Sequence, residues 1–482
     1  MQAHLLHRES GDLSPPDLAR SVTSDLVRSF AWAPHHGFSG QPRQSHVPLA
    51  LQEGPHAAPA HTAGMGGVSS ASSLAVDKFD GRMLVSGGAE GAIKLWDLEQ
   101  CNDAHQPHTF APVKTIARSV SGAAGQGHSH GVTHVAFYPF DPDAFLSSSY
   151  DKSLRLWSTR RAALSASFDL NATIYSHAMS PIADHVLVAC ATQHSNVRLV
   201  DLKSGSAVQA LVAHGGPVLC VAWSPRHDNI LVSGHADGRV RVWDVRRAGG
   251  VLTQLDKDDS LGILQRLHDA ADWDRMPRFS PSAQAHDEAV NALQWTDDGH
   301  YIVSAGLDRR IRVWDADTGA NTLASFGPLV QNKHAKTLSM FVAPSTLSST
   351  GDLLFWPNHQ EILVFDLHNG TIVSRLRIPG AVNPVGPRRR QADKTRITSI
   401  AWRGAGGSGR QIGPVMGGGN SVGAIYSAHM DGHIRAWMPR IPGPEELDEA
   451  DQLNHDEQVK LKKRKAIDSA YRSLMGKHIK FT

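Results

Sequence analysis

The 482-residue chain has only three cysteines, Cys101, Cys190 and Cys220, and none of them forms a CxxC pair. Neither a disulfide framework nor a cysteine zinc site is expected, and a reducing compartment follows. No run approaches the ~18 apolar residues needed to cross a bilayer. Residues 1–10 lack the apolar region and cleavage site of a secretory leader. A formal charge of +2 provides no global basic field of the kind that grips nucleic acid without sequence preference. No glycine-rich loop follows a strand and opens a helix, as a phosphate cradle requires. Among the 28 histidines, His105 and His108 are close, as are His128 and His130, but both pairs sit in a low-complexity stretch. Zinc needs three or four ligands converging on one point. These are read as surface-loop histidines, with no metal or cofactor expected.

What the chain does have is a recurring phrase: small-residue strand, acid, five residues, tryptophan. It reads SGGAEGAIKLWD at 86–97, SSSYDKSLRLWS at 147–158, SGHADGRVRVWD at 233–244, SAGLDRRIRVWD at 304–315 and SAHMDGHIRAWM at 427–438. The acid precedes the indole by six residues in every copy: Glu90 and Trp96, Asp151 and Trp157, Asp237 and Trp243, Asp308 and Trp314, Asp431 and Trp437. Weaker copies end RLVD at 198–201 and LVFD at 363–366, and Val200 lies 43 residues from both Trp157 and Trp243, in register. Seven units result. In IKLW, LRLW, VRVW and IRVW, apolar and basic residues alternate with the period of a half-buried strand. One such sheet cannot bury its apolar face alone, but neighbours arranged radially cover each other. The roughly 40–45-residue spacing resembles the WD40 repeat. The expected fold is therefore all-β: a seven-bladed WD40 β-propeller over 68–440, with a helical arm before it and a charged helical tail after it.

His214, Ser233 and Asp237 in one unit, and His286, Ser304 and Asp308 in another, have the composition of a hydrolase triad. A catalytic triad occurs once, with its nucleophile exposed beside oxyanion donors. These sets repeat, each tied to a tryptophan. The WD40 resemblance assigns them, with Asp151, Trp157, Trp243, Trp314, Asp431 and Trp437, to a structural network. No catalytic residue is expected.

Outside the repeats, 1–40 reads as a helical arm. Asp12-Leu-Ser-Pro-Pro-Asp offers cap chemistry, and Leu18, Val22, Leu26 and Phe30 recur at helical spacing. The segment 41–67 contains 47–51, VPLAL, read as the strand that closes the ring, and then a linker. Insertions are expected at 102–129, 249–285 and 404–423. The second carries Trp273, Arg275, Arg278 and Phe279 as possible partner contacts. The tail from 441 is acidic and then basic: seven acids occupy 445–457 before the run KLKKRK at 460–465, which fits nuclear import or nucleic-acid contact.

Two features carry a closer resemblance. Trp243-Asp-Val-Arg246-Arg247 resembles the WDxR box of substrate receptors that dock on the adaptor propeller of cullin-4 ubiquitin ligases, and Trp157-Ser-Thr-Arg160 keeps the arginine without the acid. The wording of the middle units, above all TIYSHAMSP at 173–181 and WSPRHDNIL at 223–231, resembles the Cockayne syndrome group A family from about residue 74 to 327 and more faintly to Trp437. That resemblance implies a non-catalytic nuclear receptor subunit acting in transcription-coupled nucleotide excision repair. The implied partners are the adaptor propeller, a Swi2/Snf2-type repair ATPase and stalled RNA polymerase II. Asp244, Arg246, Arg247, Leu18, Leu26 and Phe30 would face the adaptor, leaving the opposite face for targets. The alternative is a non-ligase nuclear scaffold in chromatin or RNA processing.

Overall fold

The computed structural model describes residues 6, 8–11, 14–40, 70–100, 107–119, 127–247, 251–262, 283–343, 351–378, 395–404 and 423–439. Seven antiparallel sheets follow one another along the chain. Blade 1 comprises strands 71–76, 83–88, 93–97 and 112–116; blade 2, 132–137, 144–149, 153–158 and 163–169. Blade 3 comprises 174–179, 187–192, 197–201 and 206–211; blade 4, 218–223, 230–235, 240–244 and 251–254. Blade 5 has three strands, 290–295, 301–306 and 311–315, and a single bridge from Trp314 to Asn321 stands where the outer strand would be. Blade 6 is 341–343, 353–357, 362–366 and 372–376, and blade 7 is 397–403, 424–429 and 434–439 with an outer strand from elsewhere.

Radial burial is visible at every junction. Seven hydrophobic clusters fill the seven gaps between successive blades, and the last one joins Tyr426, Ala428 and Ile434 of blade 7 to Leu74, Leu84 and Trp96 of blade 1. The ring is closed. Close approach explains why each hairpin opens with small residues. A Cβ on Gly87 would stand 2.6 Å from Val132 of blade 2, and one on Gly234 would stand 2.8 Å from Val290 of blade 5.

The N-terminal arm has helical residues at 6, 8 and 9 and then the helix α1 (Pro15–Arg28), followed by strands β1 (Phe30–Trp32) and β2 (His36–Phe38). Ser14 caps α1 by accepting from the Asp17 amide at 3.3 Å, ahead of two prolines that need no amide partner. β1 pairs antiparallel with the last strand, Phe30 opposite Pro439 and Trp32 opposite Trp437, and so completes blade 7. This corrects the expected closing strand: the ring is closed by 30–32, while 47–51 and the linker lie outside the described residues. β2 runs parallel to His108–Phe110 and stacks Phe38 on Phe110 at 4.9 Å, edge-on to Trp96 and Tyr426.

The first two insertions are also corrected. Each contains the outer strand of its blade, Pro112–Ile116 and Val251–Gln254, and the first also contains the buried His128. Trp273, Arg275, Arg278, Phe279, most of the third insertion and the tail from 440 fall outside the described residues.

The axis of the ring is not empty. Lys336 donates to the Ser72 carbonyl (2.7 Å), Thr337 to the Leu219 carbonyl (2.9 Å), the Leu338 amide to the Asn291 carbonyl (3.1 Å), and Ser339 meets Ser399 at 2.7 Å. Four consecutive residues thus touch the innermost strands of blades 1, 4, 5 and 7, so the segment entering blade 6 crosses the channel.

Candidate functional site

Strand direction sorts the loops onto two faces. Turns between second and third strands, carrying Glu90, Asp151, Asp237, Asp308 and Asp431, share one face with the links between blades. Turns leaving the third strand, carrying Arg160 and Arg246, lie on the other.

The acid-turn face is anchored by the repeated network. Each hairpin tryptophan donates from Nε1 to a serine Oγ ten residues earlier: Trp96 to Ser86 (3.0 Å), Trp157 to Ser147 (2.7 Å), Trp243 to Ser233 (2.7 Å), Trp314 to Ser304 (2.8 Å) and Trp437 to Ser427 (2.9 Å). In blade 5, His286 Nε2 meets Ser304 Oγ at 2.8 Å and its Nδ1 meets Asp308 at 3.1 Å. Arg312 adds a 2.9 Å ion pair to Asp308.

Blade 2 corrects the reading of His128 as a surface residue. His128 is fully buried, with Nε2 at 2.6 Å from Ser147 Oγ and Nδ1 at 2.9 Å from Asp151. The consistent proton order runs from the Trp157 N–H to Ser147, from the Ser147 hydroxyl to His128 Nε2, and from His128 Nδ1–H to the carboxylate. Every polar atom of the set is used, and Ser147 is sealed from solvent. Such a serine is a rivet and not a nucleophile.

Blades 4 and 7 are built differently, and His214 is the residue that sequence reasoning misassigned. His214 is exposed, and only its carbonyl takes part, accepting from Arg241 at 2.7 Å. The imidazole beside Ser233 is that of His235, at 2.8 Å, and Asp237 pairs instead with Arg241 at 3.5 Å. Blade 7 repeats the arrangement: His429 meets Ser427 at 2.9 Å, and Asp431 pairs with Arg435 at 2.8 Å. Side chains two apart on a strand share a face, so Ser-x-His delivers the ring to the same slot that a loop histidine fills elsewhere. The two solutions exclude each other. Blade 5 has Gly306 at the Ser-x-His position, where a Cβ would lie 2.7 Å from His286 Nδ1.

These networks set the acid limit of the fold. Burial pushes the imidazoles of His128 and His286 down against the pull of their aspartates. Burial and the Arg241 charge push His235 from 6.5 to about 3, and burial and the Arg435 charge push His429 to about 4. Burial raises the carboxyls of Asp151 and Asp308, but hydrogen bonds led by His128 and His286 outweigh it and hold both well below the usual range. All these groups bind protons more readily unfolded, so their contribution to stability is complete above the unfolded imidazole value of about 6.5 and declines as pH falls. Thermal melts should fall progressively from pH 6 to 4, and a level profile over that range would contradict this.

On the opposite face, Asp244 is buried at the end of its strand and accepts from Arg246 Nε (3.0 Å), Nη2 (2.9 Å) and backbone amide (3.1 Å). Arg247 stands 3.6 Å from the same carboxylate. One edge of the Arg246 fork is thereby fixed while 67% of the side chain stays exposed. Arg160 is tied to Asp143 at 2.8 Å and is 80% exposed.

The arm residues behave otherwise. Phe30 is buried edge-on against Phe355 (6.2 Å) in the blade 6–7 cluster with Val27, Leu18 is buried, and Leu26 is half-buried. This corrects the expectation that Leu18 and Phe30 face a partner: Phe30, with Val27, is spent on the ring itself, and Leu18 is buried. Among the described residues no three histidine, cysteine or acidic side chains gather as a metal site, and no helix is long and apolar enough to cross a membrane.

A closed ring of repeated, tryptophan-anchored hairpins defines a WD40 propeller. The family model for the WD domain, G-beta repeat, matches residues 59–97, 121–158, 205–244 and 279–315, ending on the third strands of blades 1, 2, 4 and 5. The WD repeat-containing protein ATCSA-1 of Arabidopsis thaliana is 30% identical over 363 residues, spanning 64% of this chain and 78% of that protein. The chain belongs to the WD40 repeat family. It is also similar to Radiation-sensitive protein 28 of Saccharomyces cerevisiae, 25% identical over 62% of this chain and 60% of that protein. A ribosome biogenesis protein WDR12 homolog of Drosophila persimilis is 26% identical over 49% of this chain and 48% of its own length.

Proposed function

We propose that this WD40 propeller is the substrate receptor of a cullin-4 ubiquitin ligase, serving transcription-coupled nucleotide excision repair in the nucleus. The observation that carries this reading is the placement of Arg246: an outward guanidinium, pinned by a buried aspartate, on a face shared with Arg160. A rigid fork held by one edge loses little freedom when its other edge pairs with carboxylates or carbonyls of a partner. Similarity to Radiation-sensitive protein 28 supports the repair setting. In this reading ubiquitin transfer belongs to other subunits, and the chain raises the effective concentration of target lysines near them. The repair ATPase and stalled RNA polymerase II would be held from the acid-turn face.

The test is affinity for the purified adaptor propeller. Arg246→Ala should weaken binding by about tenfold or more, the scale of a buried arginine hot spot, while the variant stays folded. Equal affinity of variant and wild type would defeat the docking model. The ribosome-biogenesis relatives favour the second reading, a non-ligase nuclear scaffold. In that case the adaptor would not bind wild type at all, and pre-ribosomal particles would be retained.

A further inference from the structure

Blade 1 carries the hairpin tryptophan without the histidine that accompanies it in blades 2, 4, 5 and 7. Ser86 stands opposite Lys94 in the strand register, so these two side chains, with Trp96, share the face turned toward blade 7. Where blades 4 and 7 have His235 and His429, blade 1 has Gly88, and a cavity of about 70 Å³ lies there. His433 and Ile434 of blade 7 form its far wall, and Phe38 and Gly40 close it from the arm. Phe38 stands edge-on to Trp96 at 5.3 Å, so two aromatic rings flank the space.

Two donors on this wall are poorly served. The Ser86 hydroxyl accepts from Trp96 Nε1 at 3.0 Å, and its own proton makes only a 3.5 Å bond to the Lys94 carbonyl. The Lys94 ammonium gives one N–H to the Gly40 carbonyl at 2.9 Å and has two more to give. In the other four tryptophan blades the residue at this position, Arg155, Arg241, Arg312 or Arg435, pairs with its hairpin acid. Lys94 forms no ion pair among the described residues, and Glu90, its hairpin acid, is exposed. Burial pushes the ammonium below the ordinary lysine value, and the charge of Glu90 offsets only part of that.

We infer that this cavity is a binding site for a small free carboxylate of acetate size, whose oxygens accept from the Ser86 hydroxyl and the Lys94 ammonium and whose alkyl end lies against Phe38 and Trp96. The donor pattern selects the ligand. A neutral imidazole offers one acceptor and one donor, so it can serve only one of the two groups, whereas a carboxylate offers acceptors alone. The volume is about half the ~150 Å³ that admits a benzene ring, too little for an aromatic acid or a length of peptide. One half-buried ammonium balances a single negative charge, which favours a carboxylate over a phosphate dianion.

Neither Arg246 nor Arg160 lines the cavity, so the failure of this site and that of the adaptor reading are separately observable. Isotope-labelled acetate is titrated with the full-length protein at constant ionic strength and its line broadening followed by NMR, with acetamide, imidazole and inorganic phosphate as parallel probes. Saturable binding of acetate is expected with a dissociation constant on the order of millimolar, as so few heavy atoms allow. Acetamide, which lacks the charge, should bind at least about tenfold more weakly, and Lys94→Met should weaken acetate by about tenfold. Gly88→His sets into the cavity the ring that His235 and His429 set into theirs, so it should abolish acetate binding and raise the melting temperature. Lys203→Met, at an exposed lysine of blade 3, should leave binding unchanged. If Gly88→His fails to fold, Lys94→Met against Lys203→Met decides. No saturable binding to the wild type, unchanged affinity in Lys94→Met or in folded Gly88→His, equal binding of acetamide, or binding of imidazole or phosphate in place of acetate would each overturn the assignment.

Discussion

Deleting residues 1–32 should open the ring and yield an aggregating or markedly destabilised protein. β1 is the only outer strand of blade 7 among the described residues, and it comes from the far end of the chain. Its loss strips the hydrogen-bonding edge from Ile434–Pro439 and removes Phe30 and Val27 from the cluster that holds blade 6 to blade 7. Removing one buried aromatic side chain costs ~3–5 kcal/mol, and the helix and strand go with it, against a whole-domain stability of ~5–15 kcal/mol. Deletion of residues 1–13 is the control. It removes exposed positions such as Leu6 and Arg8 and leaves the described helix and strand intact. Thermal melts and light scattering on the two truncations decide the matter. A 1–32 deletion that melts with the full chain and stays monomeric would show that closure does not depend on β1.

That strand also marks what was legible in the sequence. The six-residue spacing from acid to tryptophan encodes a turn, a strand and a buried indole within a dozen residues, so blades with this phrase could be read directly. Blades 3 and 6, with Val200 and Phe365 in place of the indole, were placed by register and carry the same strand order. Closure is different in kind. Phe30 follows Leu26 at helical spacing, so FAW reads as the next turn of α1, and its partners lie about 400 residues away in sequence. Nothing local distinguishes it from 47–51. The outer strands PVKTI and VLTQ were hidden for a related reason: short and amphipathic, they sit beside polar, low-complexity sequence.

The network shows a third kind of illegibility, in which the pattern is present but ambiguous. His128, His214 and His286 all stand four residues before the first residue of an inner strand, Val132, Val218 and Val290. That offset would have recovered His128 and would still have chosen His214 wrongly. The residue two after the serine settles it. Serine or glycine there leaves the slot to a loop histidine, as at Ser149 and Gly306, whereas histidine there fills the slot from the strand, as at His235 and His429. Blade 1 has Gly88 at this place, and beside Ser86 and Trp96 a cavity of about 70 Å³ is lined by Lys94 and Phe38.

The same rule yields the second large effect. His235→Ala should destabilise the protein by ~2–4 kcal/mol, because a cavity opens beside Trp243 and Ser233 loses the partner on which its hydroxyl is oriented. His214→Ala should change stability by less than ~0.5 kcal/mol, since an exposed ring that touches no buried group contributes little. A sequence reading that places His214 in the network predicts the reverse order, so the pair of substitutions is decisive in either direction. Gly306→Ala extends the test to blade 5. One added methyl drives into His286 and Asp308, so a change that favours strand structure elsewhere should here cost ~1–3 kcal/mol. Denaturant midpoints of the three variants at pH 7.5 measure all of this, and a His214→Ala loss equal to that of His235→Ala would refute the slot rule.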